Sequence, residues 1–252
     1  MKIMAEIPLI NFLSHFDILG FKDIVENNKI TDLVPQFNEF FIKNLKVSSH
    51  LSHKMFGKTV LPDPKTKLAH LIQFSDTVIL FSDVPPQAPL DHLYNSLMHL
   101  LLASSGTLAS CIFSGFPIRG AVSHGEFYVY VNGSENIYLG KSLIEAYKWE
   151  REQDWAGAIL SPSCEQWLIK NNVMDRALKS EYIVPYRVPL KNREYKEYYA
   201  VNWPVVVPQE KKEAIEAIER SFQLNNYEKS WAVQRKMEET IKFFDKYHKN
   251  RP

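Results

Sequence analysis

Asp17 and Asp76 are the residues of this chain best suited to chemistry. One lies in Phe16-Asp17-Ile18-Leu19-Gly20-Phe21 and the other in Gln73-Phe74-Ser75-Asp76-Thr77-Val78-Ile79, each at the edge of an apolar, strand-like run. A carboxylate there is costly to bury unless something neutralises it. Two that converge repel each other unless a proton or a cation sits between them. Oxygen-only ligation suits Mn²⁺ or Mg²⁺ rather than zinc. Two such ions would suit in-line phosphoryl transfer, one activating a hydroxyl and the other holding a triphosphate. The Leu19-Gly20-Phe21 turn adds backbone N–H groups at a helix start, which suit phosphate oxygens. The Ile18 backbone carbonyl is a further candidate metal ligand. A single aspartate at a strand end is ordinarily a turn or cap residue, so the functional reading rests on the pair. Asp83, followed by Val84-Pro85-Pro86, reads as a turn residue.

The elements around the pair must bring it together. Residues 8–18 suggest a first strand, ended by a tight turn at Gly20, with a helix starting at Phe21. Thr31 to Leu45 carries Leu33, Phe37, Phe40, Phe41 and Leu45 at helical spacing. Residues 47–66 hold Ser48, Ser49, His50, Gly57, Pro62 and Pro64 and read as a polar loop. Leu68 to Phe81 reads as two short strands meeting at a turn near Ser75-Asp76, the second nearly all apolar and suited to the middle of a sheet. A long helix over Asp91 to Phe113, a strand or hairpin over Ile118 to Tyr130 and a helix over Lys141 to Gln153 complete a β-α-β-β-α-β order. That order is the split βαβ arrangement of ferredoxin-like folds, in which the first strand lies beside the later hairpin. Asp17 at the end of one and Asp76 at the tip of the other then become neighbours.

Farther along, residues 156–160 suggest a strand and Ser163 to Lys170 a short helix. Tyr182 to Pro189 and Tyr198 to Val207 suggest strands, and Lys211 to Phe222 and Tyr227 to Tyr247 terminal helices with solvated charges. The expected fold class is therefore α/β in the broad sense, or α+β: a ferredoxin-like βαββαβ core with C-terminal elaborations. We expect a main domain over residues 1–205 and a helical extension over 206–252 packed on it.

Composition narrows the field. The chain has 252 residues and is 45% hydrophobic, enough for a full core. Thirty basic and 29 acidic residues leave a net charge of +1, which argues against a nucleic-acid coat or a polybasic membrane binder. Two cysteines, Cys111 and Cys164, make a disulfide framework a poor explanation, and a reducing cytoplasm is the expected location. The start of the chain shows no signal-like apolar core, since Glu6 and His15 interrupt it. The longest apolar stretch, near Met98 to Phe113, contains His99 and small polar residues and reads as a buried helix rather than a bilayer span. Arg119 lies on an otherwise small and apolar strand, so its charge needs a partner: a structural ion pair, or else a phosphate or inter-subunit contact. His50, His53 and His70 lack zinc-like spacing and read as surface or loop residues. Phe16 and Phe21 flank the first motif and are candidate walls of a nucleotide pocket.

Four blocks, in order over about residues 8–152, resemble class III nucleotidyl cyclases. Phe16-Asp17-Ile18-Leu19-Gly20-Phe21 resembles their first metal motif and Phe74-Ser75-Asp76 their second. Ile118-Arg119-Gly120-Ala121-Val122-Ser123-His124-Gly125 resembles the strand after the long helix. Tyr138-Leu139-Gly140, continuing through Ala146-Tyr147-Lys148-Trp149-Glu150, is similar to the next block, and Val201-Asn202-Trp203-Pro204 is familiar from bacterial members. The resemblance implies a homodimer with sites shared across its interface. One protomer would supply Asp17, the Ile18 carbonyl and Asp76, and the other the block after Gly140. It also implies Phe16, Leu19, Gly20 and Phe21 as nucleotide-binding residues, two Mn²⁺ or Mg²⁺ ions per site, and Lys148 and Arg119 as candidates for the phosphates.

The departures from the family are specific. Adenylyl cyclases carry an adenine-reading lysine and aspartate where this chain has Ile72 and Ile137. The side chains of isoleucine neither donate nor accept a hydrogen bond, and guanylyl cyclases also use polar residues there. The chain most resembles the pyrimidine cyclases of bacterial Pycsar anti-phage systems, which make cyclic UMP or cyclic CMP from UTP or CTP for a separate effector. Ile144 and Lys148 stand where family members commonly have the transition-state asparagine and arginine. They motivate a rival reading, a catalytically inactive nucleotide sensor. Two further rivals are a purine nucleotide cyclase and an unrelated ferredoxin-like interaction domain. Base-reading residues are sought in the 47–66 loop, for example Ser49 or His50.

Overall fold

The computed structural model describes residues 9–38, 69–82, 84–85, 87–132, 135–224 and 230–249. Asp83, the 47–66 loop with Ser49, His50 and His53, and the far half of the expected 31–45 helix lie outside the described residues.

Alternation along the first strand, β1 (Leu9–Ile18), decides the layering. Successive side chains of a strand point to opposite faces. Phe12, Ser14 and Phe16 face one way, and Leu13, His15 and Asp17 the other. Ser14 Oγ shares a 2.8 Å hydrogen bond with Ser104 Oγ of the long helix, which fixes that helix on the Phe16 face. His15 meets Tyr147 at 5.6 Å between ring centroids, which fixes the Lys141–Glu152 helix on the Asp17 face.

After β1 come α1 (Phe21–Asn27), α2 (Ile30–Gln36), the hairpin strands β2 (His70–Phe74) and β3 (Thr77–Phe81), and the long helix α3 (Leu90–Phe113). The next elements are β4 (Ile118–Asn132), β5 (Glu135–Gly140) and α4 (Lys141–Glu152). Then follow β6 (Ala158–Leu160), α5 (Pro162–Lys170), α6 (Met174–Lys179), β7 (Ile183–Pro189) and β8 (Tyr195–Val201). A short 3-10 turn (Trp203–Val206) leads to α7 (Lys211–Ser221) and α8 (Trp231–Tyr247). The sheet has eight strands in the order β2-β3-β1-β4-β6-β8-β7, with β5 paired to β4. Its first four strands, β2-β3-β1-β4, reproduce the expected split βαβ arrangement, and the fold is α+β.

Core packing follows from composition. α3 is apolar nearly all round, the pattern of a buried helix. It is long and apolar enough to cross a membrane by length and composition, yet 83% of that window is buried inside the protein. Cys111 on this helix and Cys164 on α5 are free and buried, and burial pushes both thiols up from their usual range. Gly120 is required where β4 crosses β1, because a Cβ there would stand 2.2 Å from the Phe16 ring.

Several details differ from the sequence expectation. β5 is an additional strand. Its apolar residues Ile137 and Leu139 sit on the exposed face, so no apolar-inward alternation marks it. The expected strand over Tyr198 to Val207 starts earlier and stops at Val201, where Pro204, without an N–H, opens a 3-10 turn instead. His70 is a strand residue on β2, its ring stacked 4.9 Å from Phe81, rather than a loop histidine. The charges of α8 are not all solvated. Arg235 and Lys236 pair with the largely buried Asp154 at 3.3 and 3.2 Å, and Thr240 Oγ1 accepts the Ala156 N–H at 2.9 Å.

Candidate active site

The β1–β3 ladder places Asp17 opposite Thr77, the residue after Asp76. The Ile18 N–H donates to the Asp76 carbonyl at 3.2 Å, tying the hairpin tip to the end of β1. Ser75 turns the hairpin with a φ of 53°, a left-handed conformation that a two-residue strand connection requires. Asp76 lies close enough to Asp17 to raise its proton affinity, by charge and by side-chain hydrogen bonding. Asp17 is pushed up to about 7, first by burial, then by the charges of Glu150 and Asp76, against the opposing pull of Arg119.

Arg119 stands directly across the ladder from Asp17. Its guanidinium is 6% exposed and committed on several sides. Nε donates to Glu150 Oε1 at 2.7 Å, Nη2 bonds the same oxygen, and Nη1 donates to the Gln153 carbonyl at 2.8 Å. Gln153 is itself fixed, its amide donating to the Gly120 carbonyl and its Oε1 accepting from Trp155 Nε1 at 2.9 Å. The structure therefore places Arg119 in the ion-pair role left open by the sequence. It acts on Asp17 through its field and does not reach out toward phosphates.

Beside the pair, on the same face, opens a cavity of about 670 Å³ lined by His15, Ile72, Phe74, Ile79, Ile144 and Tyr147 among others. Burial holds the His15 imidazole down to about 4, so it is neutral at ordinary pH although the Asp76 charge pulls the other way. Ile72 is part of the wall. Ile137 is exposed on β5.

The remaining predicted residues fall in different places. Phe16 is fully buried on the opposite face of the sheet, so the expectation that it walls the pocket is corrected: the period-2 pattern that exposes Asp17 turns its neighbour inward. Leu19 is buried, and its N–H donates to the Pro117 carbonyl at 2.9 Å. Gly20, at φ 69°, precedes α1, whose first-turn amides have no intrahelical acceptor. Phe21 packs edge-on against Phe37, 5.8 Å away, and lines a second apolar groove with Val25, Leu33 and Val34 rather than the cavity above. Lys148 is exposed on α4, its ammonium 5.8 Å from the Trp149 ring, and does not join the acidic pair within one protomer. His15, Glu150 and Gln153 carry no assigned role in the sequence reading. The alternation of β1 alone could have put His15 beside Asp17.

The donor set fits a hard divalent cation. It offers two neighbouring carboxylates, one with its proton affinity raised by the other, and a backbone carbonyl from the same strand end. Among the described residues no third acidic, histidine or cysteine side chain joins them, so most of a six-oxygen sphere is left to substrate and water.

No protein-family model matches the chain, and no curated protein matches it by sequence. Solved structures similar in fold include the dimeric guanylyl cyclase domain of the RhoGC fusion protein from the aquatic fungus Blastocladiella emersonii. That match has 14% identity over 77% of this chain and 96% of that one, with a TM-score of 0.47. Another is the catalytic core of a rhodopsin-guanylyl cyclase with converted specificity in complex with ATPαS, at 15% identity over 77% and 95% and a TM-score of 0.48. A third is the adenylyl cyclase CyaB from P. aeruginosa, at 14% identity over 76% and 93% and a TM-score of 0.44. At these identities the likeness is one of fold alone.

Proposed function

We propose that this chain is a nucleotide cyclase that converts a pyrimidine nucleoside triphosphate, UTP or CTP, to its 3′,5′-cyclic monophosphate and pyrophosphate. The observation that carries this reading is the convergence of Asp17 and Asp76 at the joined ends of β1 and the β2–β3 hairpin. Bound there, divalent cations would lower the pKa of the ribose 3′-hydroxyl and neutralise the triphosphate. Asp17, Asp76 and the Ile18 carbonyl would hold them. Asp17, whose proton affinity burial raises, would hold a cation in its deprotonated form. The first-turn amides after Gly20 would be donors for anionic oxygens, the Leu19 N–H being taken by Pro117, and the Arg119–Glu150 pair sets the electrostatic surroundings of Asp17. The isoleucine at 72 supports a pyrimidine over a purine, since it removes a polar reader that purine cyclases use.

A second copy of the chain would complete each site. Phe74, Ile144 and Tyr147 are 79, 70 and 47% exposed at the cavity, apolar surface that suits burial in a homodimer. By its resemblance to the Pycsar enzymes, the product would signal phage infection to a separate effector in the cytoplasm.

Incubation with each of the four nucleoside triphosphates and Mn²⁺, with products identified by mass spectrometry, tests the reading. Cyclic UMP or cyclic CMP is expected, and a preference for ATP or GTP would overturn the pyrimidine assignment. Ile144, at the cavity mouth where an asparagine is common in cyclases, favours the sensor reading, which predicts tight nucleotide binding with no pyrophosphate released.

A further inference from the structure

The cavity beside the acidic pair is apolar almost throughout. Ile72, Phe74, Ile79 and Ile144 in its wall offer no side-chain hydrogen bond. The Tyr147 hydroxyl already accepts from Arg151 Nη1 at 2.8 Å, and the Gln73 amide donates to the Ser75 carbonyl at 3.1 Å. Of the polar side chains lining the cavity, His15 alone is buried, at 5% exposure. Its Nδ1 has no hydrogen-bond partner. Buried polar atoms are nearly always paired, and an unpaired one is costly to keep. The fold keeps this one in the centre of the sheet, on the strand and face that carry Asp17. The Tyr147 ring, edge-on at 5.6 Å, and Ala121 across the ladder hold the imidazole in place without satisfying it. The Nδ1 atom itself is shielded from solvent, so a ligand in the cavity meets the opposite edge of the ring, or Nδ1 after a half-turn about χ2.

Given a nucleoside triphosphate at the Asp17–Asp76 site, as proposed above, we propose that His15 reads the pyrimidine base. A neutral imidazole offers one N–H donor and one lone-pair nitrogen. The donor matches O4 of uracil and the lone pair matches the N4 amino group of cytosine. The isoleucine walls sandwich the ring faces, and His15 is the buried polar group that addresses the edge, with the partly exposed Thr77 and Tyr138 side chains also in the wall. Residue 15 thus takes over the recognition that a polar side chain at position 72 would otherwise perform.

The test is calorimetric titration of α,β-methylene-UTP and α,β-methylene-CTP, which cannot lose pyrophosphate, with Mn²⁺ present. Inorganic tripolyphosphate, which has no base, is titrated in parallel. His15→Phe is expected to weaken the preferred nucleotide at least about tenfold while leaving tripolyphosphate unchanged. His15→Gln, which keeps a donor and an acceptor, should recover part of the loss. Unchanged nucleotide affinity in His15→Phe overturns the assignment. So does an equal loss of both probes in both variants, which would mark a purely structural residue. A wild-type protein whose nucleotide binding depends on His15, yet which cyclises neither UTP nor CTP, refutes the cyclase reading and supports the base contact. A wild-type protein that binds no nucleotide overturns both.

Discussion

At the scale of single residues, the acidic pair is a strained device when empty. Asp17 has its proton affinity raised to about 7 by burial and by Glu150 and Asp76. A carboxyl group whose folded pKa lies above its unfolded value near 4 costs stability once the unfolded chain can ionise more easily than the native one. The metal-free protein should therefore lose stability as pH rises from about 4 to about 7 on account of this group. Asp17→Asn removes that cost. It should raise the melting temperature of the metal-free protein at pH 8 and flatten this part of its pH dependence, while lowering turnover at least about a hundredfold. His15 and His124 act in the opposite sense. Burial holds both down to about 4, below the unfolded value of 6.5. Their contribution is complete above pH 6.5 and is lost as pH falls toward 4, and thermal melts of His124→Gln across that range should show a shallower acid limb. Glu150 is nearly fully buried against Arg119. Glu150→Gln leaves an uncompensated buried guanidinium and should cost about 3–5 kcal/mol in chemical denaturation.

At the scale of elements, the site is a product of register. β1 and the β2–β3 hairpin are legible as apolar runs because their breaks, Gly20 and Ser75-Asp76, are turn chemistry that any chain must obey. The adjacency of Asp17 and Asp76 follows from element order alone. The partners of Arg119 are another matter. Glu150 and Gln153 lie 31 and 34 residues away, and only the packing of α4 on β4 decides that they meet it. The orphaned Nδ1 of His15 is likewise a fact about what packs around it, which a linear pattern does not carry. β5 escaped notice because its apolar side chains face outward, the reverse of the usual signal. Gly120 gives this scale its sharpest test. Gly120→Ala would drive a methyl into the Phe16 ring, one residue from Asp17. Overpacking of this kind costs about 1–3 kcal/mol, and metal-dependent thermal stabilisation should weaken along with the melt.

At the scale of the whole molecule, the proposed dimer would bury the exposed apolar residues at the cavity and let each site draw on both chains. Mixing two inactive variants decides it. Asp76→Asn spoils the acidic pair, and Lys148→Ala removes the exposed cation that the other chain would supply. If the two halves of a site come from different chains, half of the randomly mixed dimers hold one intact site in two, and about a quarter of wild-type turnover should return. If both halves come from one chain, mixing restores nothing. The docking of α8 has a consequence in time as well as in space. The strand bearing Asp17 precedes all other described elements and α8 follows them all, yet the segment that steadies Arg119 is pinned by Arg235, Lys236 and Thr240 of that last helix. A chain still being synthesised would carry its acidic pair long before it carries the brace behind it. Whatever the acidic pair does, it would do so fully only once α8 has left the ribosome.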